Sequence, residues 1–141
     1  MNLNQITIPA YDMPASTEFY RAMGFTQIVD TDHYARFECP EGDATFSLSL
    51  SEEIEERKKG EKSPRNASVI YFECADLDSK VTTLVAQGFE FEQLPTDQRY
   101  LWREAILHDP SDNKIKLYWA GDNRKNPPWR VELTSAANSQ R

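Results

Sequence analysis

Cysteine and histidine are both scarce in this chain, with two of each in 141 residues. Cys39 and Cys74 lack C-x-x-C spacing and lie in apolar, strand-like surroundings, which argues against a disulfide framework or a zinc site. Buried free thiols are the expectation, and they suit a reducing cytoplasm. Positive charge is also short. The net charge of −7 leaves no basic surface to neutralise phosphates, so nucleic acid and anionic membrane are poor partners and a small molecule is the better one. Long apolar runs are missing too. The longest are strand-sized pieces such as Ser68 to Phe72, and the N-terminus lacks a basic segment followed by an apolar one, so neither membrane crossing nor export is expected.

What is present suffices for one core. A chain of this length with 39% hydrophobic and 11% aromatic residues fits a single domain. Two segments carry one signature: Asp12 is followed by Ala22, Gly24 and Phe25, and Asp76 by Ala86, Gly88 and Phe89, each pair offset by 76 minus 12, or 64. The repeat has a mechanical meaning. Asp12 and Asp76 suit helix N-caps, and Gly24 and Gly88 suit the left-handed position just past a helix end. Between them, Phe19, Tyr20 and Met23, then Leu77, Val81, Leu84 and Val85, recur at helical spacing, predicting helices over Met13 to Met23 and Leu77 to Gln87. Strand-like runs precede each helix, at Asn4 to Ala10 and Ser68 to Cys74. Others follow, at Phe25 to Val29, Tyr34 to Cys39 and Ala44 to Leu50, then Phe89 to Gln93, Tyr100 to His108 and Lys114 to Trp119.

This gives an α+β chain with a single domain over 1–133: module one 1–50, a charged linker 51–66, module two 67–119 and a tail 120–133. The linker contains Glu52, Glu53, Glu55, Glu56, Arg57, Lys58 and Lys59 before Gly60 and Pro64, and reads as a solvated face with one helical turn at most. Residues 134–141 read as a frayed terminus. In the tail, two prolines precede Trp129, a side chain costly to expose, so Trp129 is expected to be at least half buried, against its own chain or across a dimer contact.

A duplicated strand-helix-three-strand unit resembles the glyoxalase/bleomycin-resistance/extradiol dioxygenase (vicinal oxygen chelate) superfamily, over about Leu3 to Trp119. The most specific pieces are Asp12 through Phe19-Tyr20 to Gly24-Phe25, and the hairpin Asp109-Pro110-Ser111-Asp112-Asn113, similar to the family's Asp-Pro-Asp-Gly-Asn turn. Trp102-Arg103-Glu104 is similar to a stretch of bleomycin-resistance-like members. Asp112 departs from the usual Gly, but Asp tolerates left-handed geometry. The resemblance implies two βαβββ modules forming an eight-stranded, cup-shaped mixed sheet with helices on the convex side, ligands bound in the cup, and a homodimer.

Metal-using relatives place His or Gln seven residues before each capping Asp, here Gln5 and Val69. They place Glu on the last strand of each module, here Ser47 and Lys116. A divalent ion wants three or four imidazole or carboxylate donors, and Gln5 alone matches, so no metal and no cofactor is expected. If the Asp109–Asn113 turn closes symmetrically, His108 faces Lys114, Ile106 faces Lys116 and Glu104 faces Tyr118, all on the cup side, with Ile115, Leu117 and Trp119 under the helices. Glu104 then lies diagonal to Lys116, and an ion pair is expected, because an unpaired lysine in a concavity is costly. The plainer alternative has Lys116 snorkelling to water above a surface glutamate. Tyr11, Tyr100, Trp102 and Tyr118 could line an apolar cup, although aromatics at strand spacing are more often ordinary packing. His33 follows the Thr31-Asp32 turn, where exposed polar residues are common.

Three functions compete. The first is a protein that binds or sequesters a small, partly aromatic molecule through Gln5, Ser47, Trp102, Glu104, Ile106, Lys116 and Tyr118. The second is an enzyme, either a glyoxalase-like lyase with an atypical metal site or a metal-free catalyst with Glu104 or His108 as base. The third is a regulatory module whose cup is filled by its own side chains.

Overall fold

The computed structural model describes residues 1–51 and 66–132. The linker's charge run and the terminus from 134 lie outside the described residues. Strand β1 (Gln5–Ala10), helix α1 (Met13–Met23) and strands β2 (Thr26–Asp30), β3 (Tyr34–Glu38) and β4 (Thr45–Leu50) make the first module. Strand β5 (Val69–Glu73), helix α2 (Leu77–Ala86) and strands β6 (Phe91–Asp97), β7 (Arg103–His108) and β8 (Lys114–Trp119) repeat it.

The expected strands form two four-stranded mixed sheets, ordered β1-β4-β3-β2 and β5-β8-β7-β6. In each, the first and last strands of the module run parallel and the others antiparallel. The parallel pairing needs a long crossover, which the helix and two intervening strands supply. One sheet face packs on the helices: Ile8, Phe37, Leu48 and Tyr20 from the first module join Leu84, Leu107, Ile115 and Leu117 from the second in a single buried cluster. Phe46–Phe72 and Phe19–Phe89 ring contacts, with centroids 5.4 and 5.2 Å apart, sew the modules together.

The repeated capping signature works in both halves at the C-terminal end. Gly24 and Gly88 take φ of 112° and 102°, and the next amides, Phe25 and Phe89, donate back to Tyr20 and Leu84. At the N-terminal end the halves differ. The Asp12 carboxylate accepts from the Ala15 amide at 3.0 Å, whereas Asp76 makes no side-chain cap bond; only its backbone carbonyl serves, accepting from Lys80. The expected N-cap at Asp76 is therefore one of position alone.

The Asp109–Asn113 turn closes in the expected register, with His108 opposite Lys114, Ile106 opposite Lys116 and Glu104 opposite Tyr118, and Asp112 takes the left-handed conformation at φ 65°. Its first residue is a hub. Asp109 Oδ1 accepts from the Ser111 and Asn113 amides, and Oδ2 accepts from the Tyr20 hydroxyl at 2.6 Å and from Asn113 Nδ2 at 2.8 Å. Asn113 Nδ2 also donates to the Pro9 carbonyl, and the Tyr11 amide donates to Ser111 Oγ. The turn that closes module two is thus hydrogen-bonded to β1 and α1 of module one. Burial raises the Asp109 carboxyl above the ordinary carboxylate range despite these donors, and burial followed by the Asp109 charge raises the Tyr20 hydroxyl well above its own.

Two expectations need correction. Ile115 and Leu117 are buried under the helices, but Trp119 is 42% exposed. It pairs with Arg103, whose guanidinium holds Asp78 of α2 at 2.9 Å and Asp97 at 3.0 Å, so charged groups cover that end of the sheet. Trp129 is 56% exposed in the single chain, so the expected burial against its own body is not met. What docks is the segment before it: a 3-10 turn at Gly121–Arg124 follows buried Ala120, and the Asn123 carbonyl accepts from Trp102 Nε1 at 3.3 Å.

Candidate functional site

Strand alternation turns a second face of each sheet away from the helices, and the two faces differ. In module one, Gln5 of β1 and Ser47 of β4 meet, Gln5 Nε2 donating to Ser47 Oγ at 2.7 Å. The β3–β4 register puts Arg36 opposite Ser47 and Tyr34 opposite Ser49. Tyr34 donates its hydroxyl to Ser47 Oγ at 2.6 Å, and Arg36 donates through Nη2 to the Tyr34 oxygen at 2.9 Å. Its hydrogen bonds with Ser47, then with Arg36, lower the Tyr34 hydroxyl from its ordinary value. The Thr45 hydroxyl donates to Gln5 Oε1.

In module two the face is aromatic around one ion pair. Lys116 Nζ lies 3.3 Å from Glu104 Oε1, with side-chain exposures of 15% and 2%. Tyr100 donates its hydroxyl to the same carboxylate oxygen at 2.5 Å. Burial opposes the Lys116 charge, but the Glu104 hydrogen bond and charge, with Tyr71, outweigh it, so the ammonium is raised above the ordinary lysine value. Burial, then the Glu104 hydrogen bond, raises the Tyr100 hydroxyl. Trp102 stacks on Tyr118 with centroids 4.9 Å apart and planes at 20°, and Tyr71 meets both edge-on at 5.9 and 5.5 Å. Lys116 Nζ sits 5.4 Å from the Tyr71 ring centroid, a cation–π contact. Glu104 Oε2 is buried and has no hydrogen-bond partner among the described residues.

The sequence-derived candidates therefore fall into two groups. Trp102, Glu104, Lys116 and Tyr118 come together, with Ile106 opposite Lys116; Gln5 and Ser47 form the other set, and among the described residues no hydrogen bond or ion pair links the two. His108 joins neither. Four residues along one strand from Glu104, about 13 Å away, it lines a cleft of about 740 Å³ between α1 and the α2–β6 turn, beside Phe19, Phe89 and Pro110. Its Nε2 lies 3.0 Å from Glu92 and its Nδ1 3.5 Å from Asp112. Glu92 is lowered by that histidine hydrogen bond. His33 is exposed in its turn, and Cys39 and Cys74 are free, partly buried thiols, Cys74 pushed up to about 11 by burial.

Tyr71, Tyr34 and Arg36 were missed by sequence reasoning. Alternation from Val69 marks Tyr71 as cup-facing, and counting back from the Pro40–Asp43 turn places Arg36 opposite Ser47; both signals were available.

The four positions at which metal-using relatives hold an ion do not fit one here. Gln5 and Ser47 are spent on each other, Val69 is a hydrocarbon, and Lys116 is a cation paired to Glu104. Among the described residues no group of three or more His, Cys, Asp or Glu side chains could hold a metal ion. No helix among them is long and apolar enough to cross a membrane.

Two βαβββ modules, each with a helix-backed face and an open face bearing polar and aromatic side chains, define the vicinal oxygen chelate class of proteins. The chain belongs to the Glyoxalase/Bleomycin resistance protein/Dioxygenase superfamily, whose family model matches residues 2–117. A glyoxalase/bleomycin resistance protein/dioxygenase from Nocardioides is similar in structure at TM-score 0.69 and 22% identity, covering 93% of this chain and 89% of its own. Lactoylglutathione lyase from Agrobacterium tumefaciens gives 0.66 and 18% over 84% and 92%. A bleomycin-binding protein complexed with bleomycin gives 0.65 and 15% over 84% and 98%. No curated protein matches the chain. At these identities the neighbours establish the fold, and function rests on the site.

Proposed function

We propose that the chain binds a small, partly aromatic molecule on the open face of its second sheet, without a metal or other cofactor. One observation carries this: Tyr71 and Tyr100 remain 44% and 38% exposed beside the stacked Trp102–Tyr118 pair, over a buried Glu104–Lys116 floor. Apolar rings left open above buried polar groups suit a planar ligand, whose stacking contributes about 0.5–1.5 kcal/mol per ring pair beyond area burial. Glu104 Oε2, lacking a partner among the described residues, is an acceptor that a ligand donor can satisfy. The similarity to a bleomycin-binding protein supports small-molecule binding as the activity.

The enzymatic alternative has less behind it. The metal-site residues offer too few donors, and each candidate base is already engaged, Glu104 with Lys116 and His108 with Glu92. The family also supports a homodimer, and the free thiols suit a cytoplasmic location.

Calorimetric titration with 2-naphthol tests the reading. Saturable binding is expected, weakened about tenfold, or about 1.4 kcal/mol, by Trp102→Ala. Absence of heat up to the solubility of the probe would sink it. Sedimentation checks the dimer, which a mass of 16.3 kDa at micromolar concentration would refute.

A further inference from the structure

The misfit between the residues and a metal ion has a counterpart in charge. At Lys116, where relatives carry a metal-binding Glu, the protein places a cation, and Glu104 neutralises it. Beside Gln5 and Ser47, the other pair of ligand positions, stands a second cation, Arg36, whose Nε lies 3.4 Å from Ser47 Oγ. No carboxylate among the described residues is within ion-pair distance of Arg36, although the chain carries a net charge of −7. Glu38, two residues along the same strand, is exposed and outside that distance.

The neighbours of Arg36 fix its orientation without neutralising it. Its Nε and one Nη2 hydrogen point to the Tyr34 hydroxyl, at 3.2 and 2.9 Å, and the guanidinium carbon sits 5.5 Å from the Tyr34 ring centroid. Among the described residues nothing takes the Nη1 hydrogens or the second on Nη2, the end-on edge that grips an oxyanion with two parallel bonds. Ser47 Oγ is wholly buried and accepts from Gln5, Tyr34 and Arg36 Nε, so it anchors the group from below.

We propose that Arg36, held by Tyr34 and flanked by Gln5 and Ser47, makes the open face of the first sheet a binding site for a small carboxylate. The protein's own guanidinium takes the role of a positive centre at the place where relatives use a metal. A monoanion fits better than a phosphate dianion, because one fixed charge stands there in an otherwise negative molecule. Among the described residues no hydrogen bond or ion pair joins it to the aromatic face of module two.

The test is an NMR titration of the full chain with sodium benzoate, benzamide and phenyl phosphate in turn, at constant ionic strength, following Arg36 Nε–H and the β3 and β4 amides. Benzoate should saturate and perturb Arg36, Tyr34 and Ser47, about tenfold more tightly than the isosteric neutral benzamide. Arg36→Gln should erase that preference, and Arg36→Lys, which keeps charge but loses the fork, should recover only part. Equal binding of benzoate and benzamide by the unsubstituted protein would overturn the proposal without any variant. So would benzoate shifts confined to Tyr71, Trp102 and Tyr118, an outcome that leaves the aromatic-face reading standing. Tighter binding of phenyl phosphate than of benzoate would overturn the carboxylate assignment.

Discussion

The two modules share a backbone plan and almost nothing on their open faces. Strand order, parallel closure and the left-handed glycine after each helix recur, while Gln5, Tyr34, Arg36 and Ser47 on one face correspond to an aromatic cluster around a buried ion pair on the other. Devices that set chain geometry are kept because both halves need the same turns. The side chains on the open faces are under no such demand. In module one the charged group is partly exposed and held by neutral partners; in module two the charges are internal and mutually neutralised.

That contrast can be broken first at the hub belonging to both halves. Asp109→Ala leaves the Tyr20 hydroxyl and Asn113 amide without their buried acceptor, and a loss of about 4 kcal/mol is expected in urea unfolding. A loss under about 1 kcal/mol would mean that water replaces the carboxylate easily and that the modules hold together by apolar contact alone.

Next come the two cations. Lys116→Met strands a carboxylate that is 2% exposed, so stability should fall by about 3 kcal/mol, and adding Glu104→Leu should restore most of it. Arg36→Gln should cost less than about 1 kcal/mol, since no buried charge loses its partner. If the two single variants melt alike, the faces do not differ as described.

The ion pair also has a pH signature. Because the folded Lys116 ammonium is raised above its unfolded value, its stabilisation is fully present below the ordinary lysine value and is lost as pH rises through the higher folded one. The stability difference between the unsubstituted chain and the Glu104→Leu, Lys116→Met variant should therefore shrink above about pH 10.4 and stay flat between pH 7 and 9.

The smallest effect compares the caps. Asp12→Ala removes a side-chain bond to the Ala15 amide and should cost about 1 kcal/mol, while Asp76→Ala removes none and should cost a few tenths. Equal losses would place the Asp76 carboxylate on the helix end in solution.

Much of this fold was legible because its signals are local. The 64-residue repeat located both helices, and the Asp-Pro turn set the β7–β8 register from which the Glu104–Lys116 pair follows. Where the sequence reading failed, the cause is contact between distant segments. Trp119 stays 42% exposed opposite an Arg103 that meets Asp78 and Asp97 from two other elements, and β6 starts two residues late, at Phe91, and runs on to Asp97, with register shifts between Phe91 and Thr96 that alternation does not foresee. Arg36 and Tyr34 acquire meaning only once β3 lies against β4 and Gln5 arrives from β1. The site was half read because the count from the Pro40–Asp43 turn sets Arg36 opposite Ser47, whereas the bonds joining Tyr34, Arg36, Ser47 and Gln5 span three strands.

The Asp109 hub has a consequence for how the chain acquires its structure. Tyr20 is wholly buried, and the group that receives its hydroxyl lies 89 residues further on; Pro9 and Tyr11 wait on Asn113 and Ser111 across 104 and 100 residues. During synthesis the first module has all its strands by Leu50, yet its helix still holds an unsatisfied hydroxyl and one flank of its sheet still faces water. Contacts of such long sequence separation make for slow folding and place the cooperative step late, after the second hairpin has emerged. The molecule is a duplication in its architecture whose two halves are tied by the bonds of one turn.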